Sequence, residues 1–239
     1  MKPAIIFDID DTLYDQISLI IASIEDAVGS PIEDHEYFFS VYQRWVNLFF
    51  DEVEKGKMSL HDSRIYRIVK TMEELGRPIS ENNADDFQRF YQERLDNLVL
   101  SDRLTELFQW LSEQDVFLGV VTNGPSRHQR NKYRALGLDR WIPPERVLVS
   151  EEAGIAKPFP EIYRIAAGKF GIEPSKTYMV GDSWRNDIVP SKAAGWKAVW
   201  FNRHGFASGA ECRPDLTVRT EQELDQRLRT LVKESLRYN

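Results

Sequence analysis

The sequence holds a single cysteine, Cys212, among its 239 residues. No internal disulfide can form, and a reducing compartment, the cytoplasm, is the expectation. Histidine is also scarce: His35, His61, His128 and His204 are scattered. One cysteine and no paired histidine spacing speak against a structural zinc site. A long basic run is missing, and 31 Lys and Arg face 38 Asp and Glu, a net charge of −7. That balance argues against a nucleic-acid backbone or an anionic membrane as main partner. A small anionic ligand stays open, because a bound metal reverses the local sign of a site. No apolar run reaches membrane-spanning length. The apolar stretch after Lys2 breaks at Asp8, too early for a secretory leader. Internal repeats and low-complexity segments are lacking as well.

What is present suffices for a packed core. Hydrophobic residues make up 42% of the chain, which has room for one large domain or two unequal ones. The stretch IIFDIDDTLYD, residues 5–15, drives a short apolar run into Asp8, Asp10 and Asp11. Like charges packed so closely repel, and burying one without a partner is costly. One reading is a solvated acidic loop after an edge strand. The other is a site that holds a cation and a reactive carboxylate.

Periodicity gives the organisation. Ala4 to Phe7 reads as a short buried strand. Ile17, Ile20, Ile21, Ile24 and Val28 then follow helical spacing, as do Phe38, Val41, Trp45 and Leu48. Ile65, Ile68, Val69 and Met72, and more weakly Phe87, Phe90 and Tyr91, continue it. These patterns predict a helical bundle over residues 15–96. From 97 onward, short apolar strands alternate with amphipathic helices: VFLGVVT, RVLVS, TYMVGDS and WKAVWFN are the strands. Such alternation predicts an α/β fold, a doubly wound parallel sheet covered on both faces. The bundle is then an insertion after the first strand, and residues 1–14 with 97–239 form the sheet domain.

In such sheets ligands collect beyond the carboxyl ends of the strands. Asp8, Asp10 and Thr12 follow the first strand, and Thr122, Asn123 and Gly124 follow the second. Lys157 lies in the loop EEAGIAKP after the third, and Asp182 and Asp187 lie in GDSWRND after the fourth. Four carboxylates, a lysine and a hydroxyl–amide pair thus meet at one edge. A cation makes the acidic cluster tolerable, and oxygen-only ligands favour magnesium over a soft metal.

DIDDT, TN, KP and GDSWRND, in that order, resemble the four motifs of the haloacid dehalogenase superfamily. Ala156 stands before the lysine, where many members have glycine. The helical insertion is similar in position and character to the cap of subfamily I members, over a Rossmann-like core. VTNG, EEAGIAKP and the WFN strand look most like the pyrimidine nucleotidase and N-acylneuraminate-9-phosphatase branch. The resemblance implies a magnesium-dependent phosphomonoester hydrolase working through an aspartyl phosphate. Its substrate would be a small soluble phosphate ester, a nucleoside monophosphate or a sugar phosphate.

The roles carried over are these. Asp8 is the nucleophile and Asp10 the general acid and later base. Magnesium is held by the Asp8 carboxylate, the Asp10 backbone carbonyl and Asp182. Asp187 supports that shell or pairs with Lys157. Thr122 and the Asn123 and Gly124 amides hold the phosphoryl oxygens, and Lys157 neutralises charge. Arg64 and Arg67, on a cap helix, are either a solvated face or the reader of a substrate anion. Asp11 is read as solvated or capping, Thr12 as a cap, and Asp15 and Glu152 as surface charges. A phosphomutase shares the core motifs. A haloacid dehalogenase lacks an aspartate two residues after the nucleophile, so Asp10 argues against it. A phosphate-binding regulatory module is the non-enzyme alternative. Oligomeric state is not legible in the sequence.

Overall fold

The computed structural model describes residues 2–54 and 56–237. The chain runs β1 (Ala4–Phe7), α1 (Gln16–Val28), α2 (His35–Glu54), α3 (Leu60–Glu74), α4 (Glu81–Asp96), α5 (Asp102–Ser112) and β2 (Phe117–Thr122). It continues α6 (Ser126–Ala135), β3 (Val147–Val149), α7 (Ser150–Ala153), α8 (Glu161–Phe170) and β4 (Thr177–Gly181). It closes with α9 (Val189–Ala193), β5 (Lys197–Phe201), β6 (Leu216–Val218) and α10 (Glu221–Arg237). Two compact units result: Met1–Asp15 with Leu98–Asn239, and Gln16–Asn97.

The larger unit is an α/β fold. Among the described residues its strands form one sheet in the order β3-β2-β1-β4-β5-β6, every pair parallel. β1, β2 and β4 are buried along their whole length, as strands covered on both faces must be. On one face Ile6, Val121, Leu148 and Met179 pack with Ile162, Tyr163 and Ala166 of α8 and with Trp196. α5 buries Leu104, Leu107, Phe108 and Leu111, and the Phe108 ring lies 4.9 Å from that of Phe7. α10 buries Leu224, Leu228 and Val232 and packs on α5.

The chain leaves β1 towards β2 and leaves β4 towards β5, in opposite directions along the sheet. The neighbours β1 and β4 therefore flank a topological switch point, where the strand ends open a crevice. Asp8 follows β1 and Asp182 follows β4, so the switch point brings the first and fourth acidic segments side by side. The register pairs Phe7 with Val180, and the Asp8 amide donates to the Val180 carbonyl at 2.9 Å.

The smaller unit is helical, with α1 packed on α4 and α2 on α3. Ile17, Ile20, Ile21 and Ile24 of α1 are buried, and so are Ala84, Phe87, Tyr91 and Leu95 of α4. Ser59 and Ser80 cap α3 and α4 by accepting the amides of Asp62 and Asn83. In α2 the expected stripe holds at Phe38 and Val41 but ends at Leu48, which is 52% exposed.

Two segments depart from the expected elements. The strand β6 has no apolar run to announce it, since only Val218 of its three residues is buried. The segment after β4 opens as a π-helical turn over Trp184–Ile188 that leads into α9, and no helical spacing in GDSWRND announces it. Pro190 sits in the first turn of α9, where the missing N–H leaves no intrahelical bond unmade.

Candidate active site

Lys157 is the centre of the charged cluster. Its Nζ lies 2.9 Å from Asp8 Oδ1 and 2.7 Å from Asp187 Oδ1, and its side chain is 2% exposed. The Asn123 side chain locks the lysine backbone from both sides. Asn123 Oδ1 accepts the Lys157 amide at 2.9 Å, and Asn123 Nδ2 donates to the Lys157 carbonyl at 2.8 Å. The turns after β2 and β3 are thus tied together at the level of Asp8. Two adjacent carboxylates hold Lys157 above its usual range despite burial, so it stays an ammonium.

Asp187 is fully buried, and its Oδ2 accepts the Ser183 amide at 3.0 Å. It sits so close to the end of β4 that a Cβ on Gly181 would lie 2.4 Å from its Cγ. Only glycine permits that approach. Asp187 forms the ion pair with Lys157 that was one of the two roles expected for it.

Asp182 is held by Thr12. Thr12 Oγ1 lies 3.3 Å from Asp182 Oδ1 and accepts the Asp182 amide at 3.1 Å. Trp200 Nε1 adds a bond to the Asp182 carbonyl at 2.7 Å. Thr12 is fully buried, so it does more than cap the first turn. Oxygens of Asp8, Asp182 and Asp187 lie within 4.8 Å of one another. Burial pushes the Asp8 carboxyl up to about 6, with Lys157 opposing and Asp187 and Asp10 adding to the rise. Burial, then Asp187, Asp11 and Asp8, push Asp182 well above the carboxylate range. These buried carboxylates repel, and an oxygen-liganded divalent cation relieves that repulsion. The donor set therefore fits magnesium.

Thr122 Oγ1, at the end of β2, is fully buried and has no hydrogen-bond partner among the described residues. A buried hydroxyl without a partner costs about 1–3 kcal/mol. The Gly124 amide donates to Ser150 Oγ at 2.9 Å. Gly124 also contributes shape, with φ 135° and Gln129 Nε2 only 2.9 Å from where a Cβ would stand.

Asp10 is enclosed by residues that the sequence did not single out. Lys132 Nζ lies 2.5 Å from its Oδ1, Gln129 Nε2 donates to Oδ2 at 2.8 Å, and the Tyr14 hydroxyl donates to Oδ1. Burial pushes the Asp10 carboxyl up, but Lys132, Tyr14 and Gln129 together hold it below its ordinary value. Gln129, Lys132 and Tyr133 are the buried residues of α6. A helix whose inward face carries an amide and an ammonium was the available signal, masked in SRHQRNKYRALG by the lack of an apolar stripe. Asp11 also departs from expectation. It is 5% exposed, has φ 57°, and its Oδ1 lies 3.3 Å from His204 Nε2. Glu152, expected as a surface charge, pairs with Arg130 at 2.8 Å.

On the helical unit, Arg64 and Arg67 are neighbours on α3. Burial, then Arg67, lower the Arg64 pKa from its ordinary value. The Arg67 guanidinium lies over the Tyr42 ring, 5.4 Å from its centroid, and its Nε is buried without an acceptor.

Similarity to known proteins agrees with this geometry. Residues 2–195 match the family model described as haloacid dehalogenase-like hydrolase. The phosphoserine phosphatase of Thermus thermophilus is 39% identical over 42% of this chain and 40% of its own length. The chain thus matches well under half the length of that relative. A phosphoglycolate phosphatase of Haemophilus influenzae is 33% identical over 81% of this chain and 82% of its own. The crystal structure of the HAD-hydrolase YfnB from Bacillus subtilis, bound to magnesium, superposes with a TM-score of 0.70 at 25% identity. That likeness covers 95% of this chain and 98% of the other. Four acidic and basic segments gathered at the switch point, and a family match over most of the chain, lead to one statement: the chain belongs to the haloacid dehalogenase-like hydrolase family.

Proposed function

We propose that the protein is a magnesium-dependent phosphomonoester hydrolase that works through an aspartyl phosphate on Asp8. The observation that carries this reading is Asp10, held two residues beyond a buried Asp8 that is paired with Lys157. Magnesium would be held by the Asp8 and Asp182 carboxylates and the Asp10 backbone carbonyl, and would supply charge neutralisation at the phosphoryl oxygens. Asp8 attacks phosphorus as the bond to the leaving oxygen breaks, giving an acyl phosphate. Asp10, which Lys132, Gln129 and Tyr14 hold as a carboxylate in the free site, would take up a proton as the ester binds and would then give it to that oxygen. It then takes a proton from the water that attacks the acyl phosphate, releasing phosphate and restoring Asp8. Lys157 keeps Asp8 oriented and balances its charge. Thr122 Oγ1, buried and without a partner, is suited to a phosphoryl oxygen.

The substrate is proposed as a small soluble phosphate ester, such as a sugar phosphate or a nucleoside monophosphate. Relatives named for phosphoserine and phosphoglycolate support the class. Arg64 and Arg67 meet no carboxylate among the described residues, and they are proposed to read an anionic group on the substrate. Hydrolytic dehalogenation is disfavoured because it has no use for Asp10 as a clamped carboxylate. The test is a panel of phosphate esters and 2-haloacids assayed with magnesium and with excess chelator. Phosphate release that requires magnesium supports the reading. Halide release unaffected by chelator overturns it.

A further inference from the structure

The inward face of α6 has no apolar stripe. Its buried residues are Gln129, Lys132 and Tyr133, and Gln129 and Lys132 are 3% and 8% exposed. Burying a lysine is costly unless its charge is matched and its donors are used. Here the match is a single carboxylate: Lys132 Nζ meets Asp10 Oδ1, and Gln129 Nε2 meets Asp10 Oδ2. The two residues are one helical turn apart, so one rigid element supplies both contacts. Gln129 is fixed in turn, because its Nε2 also donates to the Asn123 carbonyl at 2.5 Å. The glycine at 124 leaves room for that amide. The Tyr14 hydroxyl closes the set on Oδ1, and Lys132 Nζ lies 5.9 Å from the Tyr14 ring centroid.

We propose that Lys132 and Gln129 are positioning residues for Asp10. The inference rests on the phosphatase reading of the same site. Three donors bind both oxygens of the Asp10 side chain, which fixes the direction in which it can pass or accept a proton. Neither residue touches Asp8, Lys157 or Asp182 through any contact given above. Their loss is therefore felt at the proton transfers of Asp10 and not at nucleophilic attack. A carboxylate released from this clamp loses its orientation, and orientation is part of what makes general acid–base catalysis efficient.

The test is Lys132→Met, assayed on an alkyl phosphate and on p-nitrophenyl phosphate. Misplacing a reacting group by about 1 Å can cost about 10²-fold in rate. The alkyl phosphate should lose about that factor in kcat, with KM little changed, because its leaving oxygen needs the proton. The first turnover of the aryl ester should be nearly untouched, and Lys132→Arg should recover most of the alkyl rate. Equal losses on both esters, or no loss on either, overturn the proposal. If Lys132→Met does not fold, Lys132→Gln removes the charge, keeps a polar group at the buried position and carries the same comparison. A double-mutant cycle of Lys132→Met with Asp10→Asn, read by chemical unfolding, separates the two levels of the argument. If the wild type hydrolyses no ester, the phosphatase reading fails and this cycle alone decides the pairing. Coupled losses then support the clamp, and additive losses overturn it.

Discussion

Two carboxylates in one turn of chain can divide labour only if their surroundings differ. Asp8 faces Lys157 among other buried acids, and burial holds its carboxyl at about 6. Asp10 faces Lys132, Gln129 and Tyr14, and those donors outweigh its burial. In the free site the two shifts therefore run against the proposed roles, and substrate and metal must reverse them for Asp8 to attack as an anion and Asp10 to carry a proton. In Asp10→Asn, hydrolysis of an alkyl phosphate should slow by about 10²–10⁴-fold, the usual worth of general acid–base catalysis. An aryl ester should still give a burst of nitrophenol in rapid mixing, followed by a slow steady rate. In Asp8→Asn no burst should appear with any ester. The residues of this site differed in how far the sequence exposed them. Asp8 and Asp182 stood out because charged residues directly after buried parallel strands have few structural reasons to be there, and Lys157, beyond α7, stood out only through the resemblance of its KP motif. Gln129 and Lys132 were not, because polar residues on a helix normally read as a solvated face. Asp11 misled for the opposite reason: alternation in an extended segment turns it outward, but at φ 57° the chain is not extended there.

At the scale of elements, apolar runs located β1, β2, β4 and β5, and helical spacing located α1, α3 and α4. β6 escaped because an edge strand with one buried residue has no pattern to show. The π-helical turn at Trp184–Ile188 escaped because its cause is tertiary. The Tyr163 hydroxyl of α8 donates to the Asn186 carbonyl at 2.7 Å, and Asp187 pairs with the buried Lys157 at 2.7 Å. On α3, Arg67 keeps its place through the Tyr42 ring and not through an ion pair. Arg67→Gln should raise KM about tenfold for esters with a second anionic group, the worth of one hydrogen bond to a charged partner. It should leave KM unchanged for p-nitrophenyl phosphate. Steady-state kinetics on the two esters decides between a reader of substrate charge and a packing residue.

The whole molecule carries its acidic strain at the switch point, and that strain sets a pH dependence. Asp8 titrates at about 6 when folded and near its ordinary 3.8 when unfolded. Between those values the folded state binds more protons, so this group's contribution to stability falls as pH rises from about 4 to 6. Asp182, also raised, acts in the same direction. A metal must displace those protons to bind, so magnesium should stabilise the protein more as pH rises through about 6. Thermal melts with and without magnesium at pH 5 and pH 7.5 should show the larger rise in Tm at pH 7.5. An equal rise at both, or none, would remove the metal from this cluster of carboxylates.

The central claim is that Asp8 accepts the phosphoryl group. Asp10→Asn should retain the attack and lose the base that clears the intermediate, so the acyl phosphate should accumulate. The measurement is an acid quench of Asp10→Asn seconds after mixing with p-nitrophenyl phosphate and magnesium, followed by peptide mass spectrometry. The account predicts a phosphoryl group on the peptide that carries Asp8, absent from the double variant with Asp8→Asn. Turnover by the wild type, with no phosphoryl group on that peptide in the trapped variant, would contradict it.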